Sequence, residues 1–258
     1  MLLKFSFSLK IPRSMLSGKK AIVSQLQERI LSLEGYKPGV EGRAMSSGAG
    51  CLDAIFPMGR IPLGVLHEFI AGDMESLAST GGFIASLLAR LMAGKGGCMW
   101  VSASRKIFPS ALAAFGLSPE RVVFIDLASD RDVLWAAEEA LKCDGLSAVV
   151  MEVSVISFAQ SRRLQLVMEK SRVSCFTLRK NMEKLSSTVA AVRWQVSALP
   201  SAPKDGLPGL GFARWQVELL KVKNGIPGSV VLECVNGKLS AVDIMDDLDM
   251  EEREAQYG

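Results

Sequence analysis

From Leu52 to Leu178, short apolar runs alternate with segments of helical period, and this alternation limits the fold more than any other feature of the chain. Residues 65–71, 97–102, 121–127, 146–155 and 173–178 read as strands. Residues 80–93, 109–115, 132–142 and 161–170 read as helices between them. Nearly continuous apolar strands separated by helices of that length mean βαβ units and a parallel sheet covered on both faces. Past that stretch the pattern changes. Residues 191–199, 215–222 and 229–235 read as strands joined by the loops 200–214 and 224–228, with no helix between them, which predicts an antiparallel extension. The expected class is α/β, a mostly parallel sheet with helices on both faces and an antiparallel C-terminal extension.

Three regions follow: an N-terminal extension with helix and linker over 1–50, a core over 51–240, and an acidic tail over 241–258. Ser17 can cap a helix running to Glu34, with Val23, Leu26, Ile30 and Leu33 at spacings of three and four. Gly35 suits the position after its end and Pro38 prevents continuation. The glycine-rich stretch 35–50 reads as a linker. Residues 1–17 carry Lys4, Lys10 and Arg13 among apolar residues, but the apolar stretch is short and no small-residue cleavage site follows. A start at Met15, or a disordered extension, fits better than export.

Of the 258 residues, 49% are hydrophobic and 22% charged, the balance of a folded globular protein. No run of about 18 apolar residues occurs, which argues against a membrane span and for a cytoplasmic protein. Five scattered cysteines without a CxxC pair read as buried thiols of a reducing compartment. His67 is the sole histidine, so metal sites built on several histidines are excluded and no metal site is expected. His67 lies inside an apolar run and reads as a core-strand residue. The net charge of +3 conceals an asymmetry, because residues 243–258 hold seven acids against Arg253. The other 242 residues keep 29 basic and 20 acidic groups, a net of +9. A basic body with an acidic tail suits contact with nucleic acid or an acidic partner, the tail competing for the same surface. The echo Arg193-Trp194-Gln195-Val196 and Arg214-Trp215-Gln216-Val217 could stack bases, although tryptophans of alternating strands more simply pack in a core.

The strand at 65–71, followed by glycine and a helix, is where an α/β nucleotide-binding fold places its phosphate loop, G-x-x-x-x-G-K-[ST]. Residues 72–79 have the loop's length, its first glycine (Gly72) and its last hydroxyl (Ser79). Leu77 stands at the second glycine and Ala78 at the lysine. A leucine side chain obstructs the close backbone approach that glycine permits. The lost lysine removes charge-assisted bonds worth about 1.5–3 kcal/mol. Asp73 and Glu75 add negative charge where a triphosphate would sit. The loop geometry is expected to outlast the phosphate chemistry.

Several stretches, in order, resemble RecA recombinases: Leu52-Asp53-Ala54, Arg60-Ile61-Pro62-Leu63-Gly64, His67-Glu68-Phe69, and Val149-Val150-Met151-Glu152. In that resemblance Glu152 stands for the aspartate of the second acidic strand, and Ser104 falls near the catalytic glutamate. A closer similarity is to the ImuA family. It is carried by Ser102-Ala103-Ser104-Arg105, Pro119-Glu120-Arg121, the segment 132–141, Ser161-Arg162-Arg163-Leu164-Gln165-Leu166, and the segment 208–215. The resemblance implies a RecA-like accessory protein of damage-induced, error-prone DNA synthesis. Its implied partners are an inactive Y-family polymerase relative of ImuB type, an error-prone C-family polymerase and RecA itself, in the cytoplasm near the nucleoid. With Gly72, Leu77, Ala78, Ser79 and Glu152 as relics, no catalytic residue and no cofactor are expected.

RecA carries two DNA-binding loops after the strands that end here near Glu152 and Arg179, and this chain leaves little room for either. Arg162, Arg163, Arg179, Lys180 and Lys184 are the candidates for phosphate contact, so DNA is met directly or through partners. The stripe Val23, Leu26, Ile30 and Leu33 is the candidate for self-association, because RecA docks such a segment on the next protomer. Two other readings stay open. One is a DNA-dependent RecA-type ATPase that completes its site with Lys95 or Lys106. The other is a SulA-like cell-division inhibitor of related fold.

Overall fold

The computed structural model describes residues 44–94, 96–104, 106–180, 186–201 and 211–242. Strand β1 (Ala44–Met45) leads into α1, a single turn at Gly50–Asp53, and β1 pairs antiparallel with β2 (Ile61–Pro62). Next come β3 (Leu66–Ile70), α2 (Met74–Leu91), β4 (Gly97–Ser102), two 3₁₀ segments (Pro109–Phe115 and Pro119–Arg121) and β5 (Val122–Asp126). Helix α3 (Asp130–Ala140), β6 (Leu146–Val153), α4 (Phe158–Ser171) and β7 (Ser174–Arg179) complete the alternating half. Four strands close the fold: β8 (Val192–Leu199), β9 (Ala213–Val222), β10 (Gly228–Val235) and β11 (Lys238–Ala241).

Strands β3 to β11 form one sheet of nine in the order β11-β10-β9-β8-β3-β7-β6-β4-β5. From β8 to β5 every pairing is parallel, and from β8 to β11 every pairing is antiparallel. The architecture is the α/β, RecA-like one expected. The parallel strands are apolar on both faces because each face is covered. On one face, Phe83, Ile84, Leu87 and Leu88 of α2 pack with Phe69, Trp100, Trp194 and Trp215. On the other, Val133 and Ala137 of α3 and Leu164 and Met168 of α4 pack with Val149, Met151 and Cys175. Phe69 stacks on Trp194 at 5.5 Å and 4°, an arrangement worth roughly 1 kcal/mol beyond burial. Both tryptophans of the Arg-Trp-Gln-Val echo are thus core residues.

Some boundaries differ from those read in the sequence. The linker expected through residue 50 ends earlier: from Ala44 the chain is part of the fold, with Ser47 and Ala49 buried. Asp53 holds this entry by accepting from Ser47 N at 2.8 Å and Ser46 Oγ at 2.5 Å. Strand β11 was not anticipated. It returns through a two-residue turn, Asn236 at φ 49° and Gly237 at φ 75°, whose handedness matches the twist of the flanking strands. Among the described residues no helix is long and apolar enough to cross a membrane.

Candidate functional site

In open α/β sheets ligands bind outside the carboxyl ends of the strands, and here β3, β4, β6 and β7 deliver Gly72, Ser104, Glu152 and Lys180 to that edge. The first finding overturns the expected loop. Helix α2 begins at Met74, so Leu77, Ala78 and Ser79 lie in its second turn rather than in a phosphate-wrapping bend. Without the second glycine nothing favours the loop's unusual backbone angles, and Leu77 gains more by joining the core, where it is buried. Ala78 faces solvent, and Ser79 Oγ donates to Glu75 O at 2.9 Å.

The start of α2 is filled by the protein's own acid. Asp73 is the N-cap, and its Oδ1 accepts from Ser76 N and Ser76 Oγ, both at 2.7 Å. The Ser76 hydroxyl in turn accepts from the backbone N–H of Gly72 and of Asp73, both at 3.1 Å. This is a capping box. Backbone donors that would face a phosphate at a helix start are turned onto side chains from the same turn. The bonds from Ser76, backbone first and hydroxyl second, hold the Asp73 carboxyl below its ordinary range. It is therefore an anion seated where an anion would bind.

The second acidic position is likewise engaged from within. Glu152, buried at the end of β6, accepts from Trp100 Nε1 at 2.8 Å on one oxygen. Its other oxygen accepts from Ser104 Oγ at 3.1 Å and pairs with Lys180 Nζ at 2.7 Å. Lys180 also donates to Ser104 Oγ at 2.6 Å, which closes a triangle of lysine, serine and glutamate. The lysine supplies the positive charge that a cation would bring to this carboxylate. Among the described residues no group of three His, Cys, Asp or Glu side chains is placed to hold a metal ion. Beside Trp100 a cleft of about 240 Å³ is lined by Ser102, Ile107, Pro109, Phe124 and Asp126. That is below the range of roughly 300–1,000 Å³ usual for small-molecule sites.

The phosphate-contact candidates separate into two groups. Arg179 is fully buried and pairs with Glu68 at 2.7 Å, so it is a core ion-pair residue, not a surface cation. Lys180 is bound to Glu152 as described. The assignment of Arg179 to DNA contact is corrected because that cation is buried beside a buried carboxylate, and a buried charge must be paired; Lys180 is partly exposed. Arg162 and Arg163 are exposed on α4, where Arg162 bonds Gln165 at 2.8 Å and Arg163 reaches Glu138 of α3 at 2.6 Å. Lys106 lies against Met74, its Nζ 3.3 Å from the sulfur. Lys95, Lys184 and the stripe Val23, Leu26, Ile30 and Leu33 lie outside the described residues.

Spacing in the sequence could have revealed the capping box, since Asp73 and Ser76 stand at the cap and third helical positions. It offered no sign of Lys180 reaching Glu152, or of Trp100 donating to it, because those contacts join strands far apart in the chain. No family model matches the chain. Two curated proteins, both named Protein ImuA and from two strains of Caulobacter vibrioides, are each 29% identical to it over 201 residues, covering 73% of this chain and 82% of theirs. That match spans most of both chains, and over those residues the chain is similar to Protein ImuA.

Proposed function

We propose that this chain is a non-catalytic RecA-like accessory protein of damage-induced, error-prone DNA synthesis, acting by holding polymerase components together. The observation that carries the reading is the state of the carboxyl-end crevice. Asp73 caps the helix start and Lys180 pairs with Glu152, so both positions are engaged by the chain's own side chains. A chain whose helix start and acidic strand end are engaged in this way is read as acting through its surfaces. The similarity to Protein ImuA supports the setting, and an inactive Y-family polymerase relative and an error-prone C-family polymerase are the partners proposed for those surfaces. Action near the nucleoid follows from that setting.

The experiment is a titration with a fluorescent ATP analogue and magnesium, with and without single-stranded DNA, alongside assay of phosphate release. No binding up to millimolar nucleotide and no DNA-stimulated release is the expected result. Saturable binding with turnover would overturn the proposal in favour of a DNA-dependent ATPase whose lysine comes from elsewhere.

A further inference from the structure

The nine-stranded sheet is open, and its two edges are β11 and β5. An edge strand presents unpaired N–H and C=O groups, and natural folds blunt it with short length, charge, proline or a bulge. β11 is blunted in this way: it has four residues, and Lys238 and Ser240 are exposed on it. β5 is not. Val122, Val123, Phe124 and Ile125 follow one another without proline or charge, and the register against β4 runs from Val122 to Asp126 without a bulge. Val123 is 55% exposed. The Leu127 N–H bonds Ser102 O at 2.9 Å, and this fixes which way the backbone faces. Residues 123, 125 and 127 turn their N–H and C=O groups to β4, since these alternate along a strand. Phe124 therefore turns its own to the open edge, where no described strand pairs with it.

The same residue lines the cleft beside Trp100. Phe124 and Asp126 of β5 face it together with Trp100, Ile107 and Pro109, and the Phe124 and Trp100 rings stack at 6.5 Å. Phe108, between two of those lining residues in the chain, is 69% exposed. At about 240 Å³ the cleft is small for a free small molecule, yet it has room for one leucine or phenylalanine side chain. A single bulky anchor in a pocket is how protein contacts concentrate their binding energy. The charge along the edge is acidic. Glu120 and Asp126 are exposed at the two ends of β5, whereas Arg121 turns away to donate to Gly96 O at 2.6 Å. That charge disfavours a phosphate backbone and favours basic side chains. A second copy paired β5 to β5 in antiparallel fashion would set acid against acid and leave the cleft unfilled.

We propose that an extended segment of a protein partner adds to β5 as a further strand, seats one bulky apolar side chain in the cleft and carries basic residues at its ends. Main-chain bonds to Phe124 would supply affinity and the cleft would supply selectivity. The inference rests on the reading that the chain acts through its surfaces, and it names one of them.

Dodecapeptides displayed on phage and selected on the full chain test it. The enriched sequences should hold one leucine or phenylalanine flanked by lysine or arginine. Made synthetically, they should slow hydrogen exchange at the Phe124 amide several-fold in the ¹⁵N-labelled chain. Asp126→Trp, which fills the cleft mouth from an exposed position, should weaken their binding several-fold. No enriched sequence, or peptides that bind Asp126→Trp equally well and leave exchange at Phe124 unchanged, would overturn the proposal. A Phe124 amide already protected in the dilute, peptide-free chain would assign the edge to another segment of the same chain. Protection that grows with chain concentration would assign it to a second copy, and either result would overturn the proposal too. Failure here with the ATP analogue still unbound would remove this edge and leave action through other surfaces standing, whereas nucleotide turnover would remove the reading beneath it.

Discussion

Glu68 stands in the middle of β3, buried, and accepts from Arg179 at 2.7 Å, Arg193 at 2.8 Å and Thr188 at 3.0 Å. A carboxylate so placed is tolerable because each oxygen meets charged or polar donors. Its neighbour His67 faces the opposite side of the strand and solves the same problem without charge. The Trp194 indole donates to its Nδ1 at 3.2 Å, so the ring proton sits on Nε2 and is donated to Pro62 O at 2.8 Å. A second proton would have to enter against the Trp194 N–H. Burial lowers the His67 pKa from 6.5 to about 4, against a smaller upward pull from the Pro62 bond. In the unfolded chain the imidazole takes its proton near 6.5. Between those values the unfolded state therefore binds more protons, and stability rises with pH. The contribution is fully present above 6.5 and is lost as pH falls through about 4, a difference of about 3 kcal/mol. Urea unfolding across that window, for the parent chain and His67→Gln, should show a shallower decline in the variant. An identical slope in both would mean that the acid sensitivity arises elsewhere.

Elements in this fold are tied at their ends by pairs of the chain's own side chains. Lys180, one residue past β7, binds the carboxylate at the end of β6, and Ser104 beyond β4 completes the contact. Removing the cation strands a buried charge. Lys180→Met should lower stability by about 3 kcal/mol, the low end of the range for breaking a buried pair, because the lysine keeps some hydration. Adding Glu152→Gln should restore at least half of the loss, since the amide oxygen can still accept from Trp100. Chemical denaturation of the four variants measures the coupling, and a double variant that costs the sum of the singles would dissolve the pair. The end contacts were also the part least legible in the sequence. Continuous apolar strands and helical periodicity located β3 to β10 and the helices between them, because burial writes itself into neighbouring residues. The start of α2 was misplaced because residues 72–79 match a phosphate loop in length, and length does not distinguish a loop from a capped helix. Arg179 read as a surface cation because its partner Glu68 lies 111 residues away. β11 escaped notice although Asn236-Gly237 is a strong hairpin signal, because the strand has four residues and Leu239 alone is buried.

At the scale of the whole molecule the parallel half and the antiparallel wing share one apolar layer. Phe83 of α2 contacts Phe69 of β3 at 6.4 Å, Trp194 of β8 at 5.7 Å and Trp215 of β9 at 5.9 Å. The 3₁₀ segment adds Phe115 against Trp215 at 5.6 Å, and the close approach behind it is set by Gly82, where a Cβ would stand 2.7 Å from the Phe115 ring. A helix that packs on both halves cannot release one and keep the other without exposing its own buried side chains, at about 25 cal/mol per Å² of apolar surface. The two halves should therefore unfold together. The tryptophans are placed to test this. Trp100 reports on the parallel half, Trp194 and Trp215 report on the wing, and Trp135, largely exposed on α3, serves as a reference. In a 5-fluorotryptophan-labelled chain, resonances assigned by single Trp→Phe variants should give one urea midpoint for Trp100, Trp194 and Trp215. Such coincidence is the mark of a two-state transition. A midpoint for Trp194 and Trp215 clearly below that of Trp100 would show the wing opening alone, and the continuity of the core across α2 would then carry no cooperativity.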